Sequence, residues 1–235
     1  MSTYIALADE VRRRRLDLTR VIIVMMDEYA ESVEGMLQRI DEREPHSCTL
    51  FGRVDIVDRL NAAAWPGKGI TPEHFWVPEP RDGAEFDARI EAAGGVDLFI
   101  LASGSSDGHV AFNPPGSSAS TQTRVVELSE ETRTDNLYTF PSFERDLSRV
   151  PTLGVTVGIA TIRDLSKRVV MIAHGRHKAE AVRRVSLAES YDPEWPATIV
   201  SDCRDPLLFV DKAALTDQPT ERRTPESADD ARSRR

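Results

Sequence analysis

The tripeptide "DGH" places a carboxylate and an imidazole, Asp107 and His109, on either side of Gly108. A carboxylate beside a histidine can hold the ring in one tautomer and let it transfer protons near neutral pH. Because Asp-Gly is also a frequent turn sequence, the spacing alone leaves both a catalytic pair and a plain turn open. The surrounding loop (102–109) is rich in glycine and serine, and such a backbone can approach a ligand closely.

A second candidate carboxylate, Asp27, lies in "MMDEY" (25–29), directly after the apolar run "RVIIV" (20–24). The apolar run predicts a buried strand, so Asp27 is expected at its carboxyl end. Charged residues there either face water or lie at the edge where open α/β sheets bind ligands. The position makes Asp27 a candidate site residue without assigning its role.

Lys178, in "GRHKA", lies at the start of a predicted helix. A cation beside helix N-terminal amides is suited to hold an anion. No second histidine or cysteine stands at ligand spacing near His109, so we predict no metal site there.

The composition limits the classes of protein to consider. With 235 residues, 40% of them hydrophobic, the chain can bury one core with a tail left over. A net charge of −9 without a basic stripe argues against nucleic acid, and "RRRR" (12–15) suits the end of an exposed helix. No apolar run approaches the roughly 18 residues of a membrane span. Cys48 and Cys203 form no disulfide framework and no signal peptide is visible, so we predict a soluble cytoplasmic protein.

Strand-like and helix-like segments alternate along the chain, which predicts a doubly wound α/β domain over residues 1–215. The predicted strands are 20–26, 73–78, 96–102, 123–128, 153–160, 168–174, 197–202 and 206–211. The predicted helices are 2–15, 54–65, 83–94, 129–138 and 175–190, with Ser129 as an N-cap. Residues 216–235 are polar and charged without an apolar face, which predicts a disordered tail.

Several blocks together resemble the glucosamine-6-phosphate deaminase/isomerase family, which is related to the 6-phosphogluconolactonases. They are "MMDEYAES", "LFILASGSSDGHVAFNPPGSS", "TRVVELSEETRTDN", "LGVTVGIATIRDLSKRVVMIAHGRHKAEAV" and "ATIVSD", and they occur in the family's order over nearly all of residues 1–212. The resemblance implies a Rossmann-like three-layer α/β/α sandwich with a mostly parallel sheet, in agreement with the alternation above.

The same resemblance implies roles for individual residues. Asp27 matches the base that moves a proton between C2 and C1 of the open-chain sugar phosphate. His109 matches the acid/base of ring opening, Asp107 the carboxylate that orients it, and Lys178 the lysine at the substrate phosphate. The loop residues expected to line the substrate are Gly104, Ser105, Gly108 and Asn113. No cofactor and no obligatory metal are implied.

The chain departs from the family pattern in three places. Pro114 stands where the family has a glutamate that completes the acid/base relay, and Tyr138 stands where an arginine reads the phosphate. Relatives also carry a strand and a phosphate loop before the segment that begins here with "MSTYIALAD". We expect a start codon assigned too far downstream, in preference to a degenerate paralogue. The chain from Met1 is then expected to expose strand edges and self-associate, as a homo-oligomer or less specifically.

The leading function is therefore an aldose–ketose isomerase/deaminase acting on an amino-sugar 6-phosphate. One alternative is a lactonase that hydrolyses a phosphorylated sugar lactone, because lactonases share the Asp-Gly-His loop and lack the glutamate. Another is a catalytically inactive protein that binds a sugar phosphate. Release of ammonia from glucosamine 6-phosphate separates the first from the other two.

Overall fold

The structure, a computed structural model that describes residues 2–215, alternates helices with short strands. The strands are β1 (Ile23–Val24), β2 (Asp27–Val33), β3 (Met36–Arg39), β4 (Phe75–Trp76), β5 (Phe99–Leu101), β6 (Arg124–Glu127), β7 (Leu153–Thr156), β8 (Val169–Ala173) and β9 (Pro206–Val210). The α-helices are α1 (Ser2–Arg14), α2 (Cys48–Phe51), α3 (Arg59–Ala63), α4 (Gly83–Ala92), α5 (Glu130–Thr139), α6 (Ile159–Leu165) and α7 (Ala179–Leu187). A π-helical segment, Gly52–Asp58, joins α2 to α3. The tail predicted at 216–235 lies outside the described residues.

The strands form parallel and antiparallel sheets. Strands β5, β8 and β9 make a parallel sheet in the order β5-β8-β9, and β1 pairs in parallel with β4. These parallel pairs confirm the α/β class. A further sheet, in the order β3-β2-β7-β6, is antiparallel throughout and was not predicted from the sequence.

Two hydrophobic clusters support the sheets. The first surrounds the parallel sheet, where Leu101, Val169 and Met171 are almost fully buried against Ile162 of α6 and Val185 of α7. Burial of these side chains stabilises the fold by about 25 cal/mol for each Å² of apolar surface removed from water. The second cluster surrounds Tyr29 of β2, whose ring packs edge-on against Phe143 with 6.0 Å between ring centroids. Both clusters hold the loops of the site on rigid elements.

The strand predicted over residues 20–26 is interrupted in the structure. After β1, the amide of Met25 still donates to Trp76 O (2.8 Å), but Met26 O accepts from Val157 N (2.8 Å). The chain changes partner at this point, so Asp27 does not end a strand but begins β2.

Two further expectations about secondary structure were wrong. Residues 197–202 were predicted as a strand, but Pro196–Asp202 is a 3-10 helix in which Pro196–Val200 are buried. A short buried apolar run looks the same in a strand and in a buried helix, and Pro196 suits the first turn of a helix. The run predicted as one strand over 153–160 ends at Thr156, and α6 begins at Ile159 after Gly158.

Among residues 2–215, no helix has the length and apolar composition that crossing a membrane requires.

Candidate functional site

Asp27 lies where the chain passes from the parallel pair β1–β4 into the antiparallel sheet. Its register partner on β7 is Thr156, whose partner on the other side is Arg124. Asp27 as a residue is partly accessible, whereas the next residue, Glu28, is fully buried. The antiparallel sheet therefore fixes the backbone on which the candidate base is carried.

His109 and Asp107 form a hydrogen-bonded pair in the loop after β5. His109 Nδ1 lies 2.7 Å from Asp107 Oδ1, and both side chains are largely buried. Because an ionised carboxylate can only accept, the hydrogen lies on Nδ1 and Nε2 is left free to exchange a proton. The loop closes on itself through Gly104 N, which donates to His109 O at 2.7 Å.

Two hydroxyl groups at the start of α5 donate hydrogen bonds to the second carboxylate oxygen of Asp107. The hydroxyls of Ser129 and Thr132 each donate to Asp107 Oδ2 at 3.2 Å. Ser129 also accepts from Thr132 N at 3.0 Å, which confirms the predicted N-cap. Ser129 and Thr132, which begin the helix, therefore also bind the Asp107 carboxylate that orients His109.

Two glycines of the loop, Gly104 and Gly108, lie so close to neighbouring side chains that a Cβ atom would not fit. A Cβ on Gly104 would lie 2.3 Å from His109 Nδ1, and a Cβ on Gly108 would lie 2.3 Å from the Trp195 ring. Gly108 has φ +68°, a left-handed conformation that other residues adopt at a cost. In this structure both glycines therefore make room for the Asp–His pair and its packing.

Lys178 and Ser105 lie at the same site. Lys178 Nζ donates to Ser103 O at 2.5 Å, and Ser105 N donates to Asp135 Oδ2 at 2.9 Å. The ammonium of Lys178 interacts electrostatically with both Asp135 and Asp107. The structure thus brings the predicted phosphate lysine, the loop amide and the Asp–His pair together.

Asn113 is placed differently from the expectation that it contacts substrate. Its side chain is fully buried; Nδ2 donates to Val110 O (3.1 Å) and Val157 O (2.7 Å), and Oδ1 accepts from Arg124 (2.8 Å). No amide atom of Asn113 is exposed to a substrate. The residue holds the end of the loop against the sheet instead.

The two carboxylic acids of the site, Asp27 and Asp107, have pKa values shifted in opposite directions. Burial raises the pKa of Asp27 to about 7, with Glu28 adding to the rise and Cys48 and His109 opposing it. For Asp107, burial alone would raise the pKa, but the hydrogen bond and charge of His109 lower it to about 2. Near neutral pH, Asp27 can therefore take up and return a proton while Asp107 stays ionised.

Burial lowers the pKa of Lys178, although Asp135 and Asp107 oppose this shift. An anionic ligand would form charge-assisted hydrogen bonds with this partly desolvated ammonium, in competition with the two carboxylates.

Sequence reasoning did not single out several residues of this site: Cys48, Ser129 as a partner of Asp107, Thr132 and Asp135. The last three lie in the quoted block "TRVVELSEETRTDN", so the resemblance pointed at the segment without naming the residues. Asp107, His109 and Asp135 carry ligand-type atoms within 4.8 Å of one another, so they are the residues that could hold a cation. Each of these groups also has a hydrogen-bond partner in the protein.

A carboxylate able to exchange protons at neutral pH and an Asp–His pair, set beside a lysine on an α/β scaffold, define an acid/base enzyme for a small anionic substrate. A glucosamine-6-phosphate deaminase of Beutenbergia cavernae is 35% identical over 219 residues, covering 92% of this chain and 77% of that protein. A glucosamine-6-phosphate deaminase of Rhodococcus opacus is 33% identical over 219 residues with the same shares. The chain belongs to the glucosamine-6-phosphate deaminase family.

Solved structures agree with this assignment. A monomeric glucosamine-6-phosphate deaminase matches with a TM-score of 0.74 at 26% identity, covering 91% of this chain and 83% of that one. A 6-phosphogluconolactonase from Thermotoga maritima matches with a TM-score of 0.56 at 16% identity, covering 88% and 79%, and this likeness concerns the fold alone. No family model matches the chain. The Rossmann-like fold implied by the sequence blocks is confirmed.

Lys178→Met is expected to raise KM for glucosamine 6-phosphate by roughly 10- to 100-fold, as expected from the loss of one charge-assisted hydrogen bond. Steady-state kinetics measure the effect, with the exposed Lys212→Met as the matched control. Equal KM values in the two variants would contradict a phosphate contact at Lys178.

Proposed function

We propose that this protein converts glucosamine 6-phosphate and water into a ketose 6-phosphate and ammonia. The observation that carries the proposal is the convergence of Asp27, with its pKa raised to about 7, and the His109–Asp107 pair in one site of a chain from this family. Asp27 and His109 are close enough to affect one another electrostatically.

Ring opening is assigned to His109. Its Nε2 is free because Asp107 accepts from Nδ1, so Nε2 can take the proton of the anomeric hydroxyl and deliver a proton to the ring oxygen. Asp107 remains ionised during this exchange and stabilises the imidazolium that forms transiently.

Isomerisation is assigned to Asp27. Its carboxylate takes the proton from C2 of the open-chain aldehyde while the aldehyde oxygen gains a proton, which gives an enolamine. Asp27 then returns its proton to C1 on the same face, and the amino nitrogen releases the proton that balances the one gained by the oxygen. The resulting C2 imine adds water and releases ammonia, so that the amino aldose becomes a ketose. A carboxylate with a pKa near 7 suits both directions of proton transfer at neutral pH.

Binding of the phosphate is assigned to Lys178, because the amide of Ser105 already donates to Asp135. The lysine approaches the loop from the short helical turn Arg176–Lys178 that precedes α7. Gly104 and Gly108 act indirectly, by allowing the loop to close around the Asp–His pair.

One observation favours a lactonase as a second candidate. Pro114 supplies no carboxylate where the family's acid/base relay has one, and hydrolysis of a lactone needs only a base for water. Coupled assays on the purified chain separate the two functions. Ammonia and ketose 6-phosphate from glucosamine 6-phosphate support the deaminase, whereas hydrolysis of 6-phosphogluconolactone alone would replace it with the lactonase.

Pro114→Glu is expected to raise kcat for ammonia release by about tenfold, because it restores a carboxylate at the position where the family's acid/base relay has one. The adjacent Pro115→Glu adds the same charge one residue further on and serves as the control. A kcat that stays at the parent value in Pro114→Glu would show that the relay does not lack a carboxylate at this position.

A further inference from the structure

One carboxylate of the site, that of Asp135, has no part in the proposed mechanism. Asp135 lies on α5 three residues after Thr132, so the two side chains share one face of the helix. A carboxylate oxygen of Asp135, one of Asp107 and a ring nitrogen of His109 all lie within 4.8 Å of one another. Asp135 therefore lies beside the histidine to which ring opening is assigned.

The hydrogen bonds of Asp107 and Asp135 differ. Both oxygens of the buried Asp107 are engaged, because Oδ1 accepts from His109 Nδ1 and Oδ2 accepts from the hydroxyls of Ser129 and Thr132. Asp135 as a residue is partly accessible, and within residues 2–215 its carboxylate accepts one hydrogen bond, from Ser105 N to Oδ2 at 2.9 Å. In that part of the chain, Oδ1 of Asp135 is therefore left for a ligand.

The negative charge of Asp135 is incompletely compensated by the protein. The carboxylate forms no salt bridge within residues 2–215, where the amide of Ser105 is its hydrogen-bond donor. The ammonium of Lys178 interacts with it electrostatically but donates its hydrogen bond to Ser103 O. Taking a carboxylate out of water is unfavourable unless other groups replace the lost solvation. A cationic group on a bound ligand would supply this replacement.

We propose that Asp135 binds the protonated amino group of the substrate and so selects amino-sugar phosphates over neutral sugar phosphates. This inference rests on the proposed function, in which His109 acts at the anomeric hydroxyl. The amino group is carried by C2, next to the anomeric carbon, so it lies beside that hydroxyl. Hydrogen bonds of about 2.8 Å from two neighbouring substituents of one sugar can meet protein atoms that lie within 4.8 Å of each other.

The two charged groups of an amino-sugar phosphate then each meet the opposite charge. Lys178 receives the phosphate, and Asp135 receives the ammonium. A charge-assisted hydrogen bond is stronger than a neutral one, so a hydroxyl at C2 gains less from Asp135 than an ammonium does. A sugar lactone phosphate carries no cation, so Asp135 favours the amino sugar over the substrate of the second candidate function.

The test uses two sugar alcohols that lack the aldehyde and therefore do not react: 2-amino-2-deoxyglucitol 6-phosphate and glucitol 6-phosphate. They differ in having an amino group or a hydroxyl at C2, and at neutral pH the amine holds its proton. Asp135→Asn removes the charge but keeps an oxygen that can accept from Ser105 N. Glu131→Gln, at an exposed carboxylate on the same helix, is the matched control. Thermal denaturation establishes that each variant is folded.

Titration calorimetry gives Kd for each alcohol. We expect the parent and Glu131→Gln to bind the amino alcohol about 10- to 100-fold more tightly than glucitol 6-phosphate, as expected for one hydrogen bond to a charged group. Asp135→Asn should lose most of this preference through weaker binding of the amino alcohol, with its Kd for glucitol 6-phosphate at the parent value. A preference that persists in Asp135→Asn would overturn the proposal. Equal weakening of both alcohols would also overturn it, since Asp135 would then only hold the loop.

The binding test and ammonia release separate this inference from the proposed function. A preference lost in Asp135→Asn supports the role of Asp135 even if the chain releases no ammonia, because neither alcohol requires turnover. An unchanged preference overturns that role even if ammonia is released. A parent protein that binds neither alcohol would overturn both the inference and the proposed function.

Discussion

Asp27→Asn is expected to lower kcat for ammonia release by about 10²- to 10⁴-fold, the usual contribution of a general acid/base group. The amide has nearly the shape of the carboxylate but accepts no proton, so isomerisation stops while the substrate still binds. Steady-state kinetics of the purified variant give kcat, and calorimetry with glucosamine 6-phosphate gives the binding constant.

The stability of Asp27→Asn provides an internal check that the loss is chemical. The folded state raises the pKa of Asp27 from 3.8 to about 7, so the carboxyl stabilises the fold at low pH and this contribution is lost as pH rises through about 7. At pH 8 the parent carries an ionised, poorly solvated carboxylate, which the amide removes. The melting temperature of Asp27→Asn at pH 8 should therefore equal or exceed that of the parent.

Glu31→Gln is the matched control for Asp27→Asn, because Glu31 is an exposed carboxylate on the same strand. It should leave both kcat and the melting temperature unchanged. Turnover of Asp27→Asn within about threefold of the parent, on the order of 0.7 kcal/mol in the barrier, would exclude Asp27 as the base.

The short-range features of the site could be predicted from the sequence. Asp107 and His109 are two residues apart, so a tight turn brings them together whatever the rest of the fold does. The N-cap at Ser129 is also local, since its partner Thr132 lies within the same helical turn. Such contacts depend on chain geometry over a few residues, and this geometry is visible in the spacing of residue types.

The long-range contacts of the site could not be predicted in the same way. Glu28 binds residues 47–49 beside β2 across about twenty residues of sequence, and spacing gives no sign of this pairing. Asp135 meets Ser105 across thirty residues. The absence of a cysteine motif predicted a reducing compartment, whereas the structure shows that the backbone of one buried cysteine, Cys48, is bound by the residue that follows Asp27.

The structural position of Asp27 differs from the one that the sequence predicted for it. The sequence favoured it as the end of a parallel strand, but the structure places it where the chain leaves β4 and joins β7. A change of pairing partner leaves a residue at a boundary between sheets, partly accessible and next to a buried carboxylate. This boundary combines access for a substrate with the desolvation that raises the pKa of Asp27.

His109→Asn is expected to lower kcat by about 10²- to 10⁴-fold with little change in substrate binding. The asparagine amide can still donate to Asp107, so the loop should keep its closure through Gly104 N and His109 O, a backbone contact that the substitution leaves in place. What is lost is the Nε2 atom that, in the proposed mechanism, exchanges protons with the sugar ring. Kinetics and calorimetry on the folded variant measure the two effects separately.

His177→Asn is the control for this substitution, because His177 is an exposed histidine next to Lys178 and has no assigned role. Its kcat and its binding constant should match those of the parent. A His109→Asn variant that loses binding in proportion to kcat would place His109 among the groups that hold the substrate. A loss confined to kcat instead requires a group that acts on the reacting atoms, and the ring of His109 is oriented for this by the hydrogen bond between its Nδ1 and the ionised Asp107.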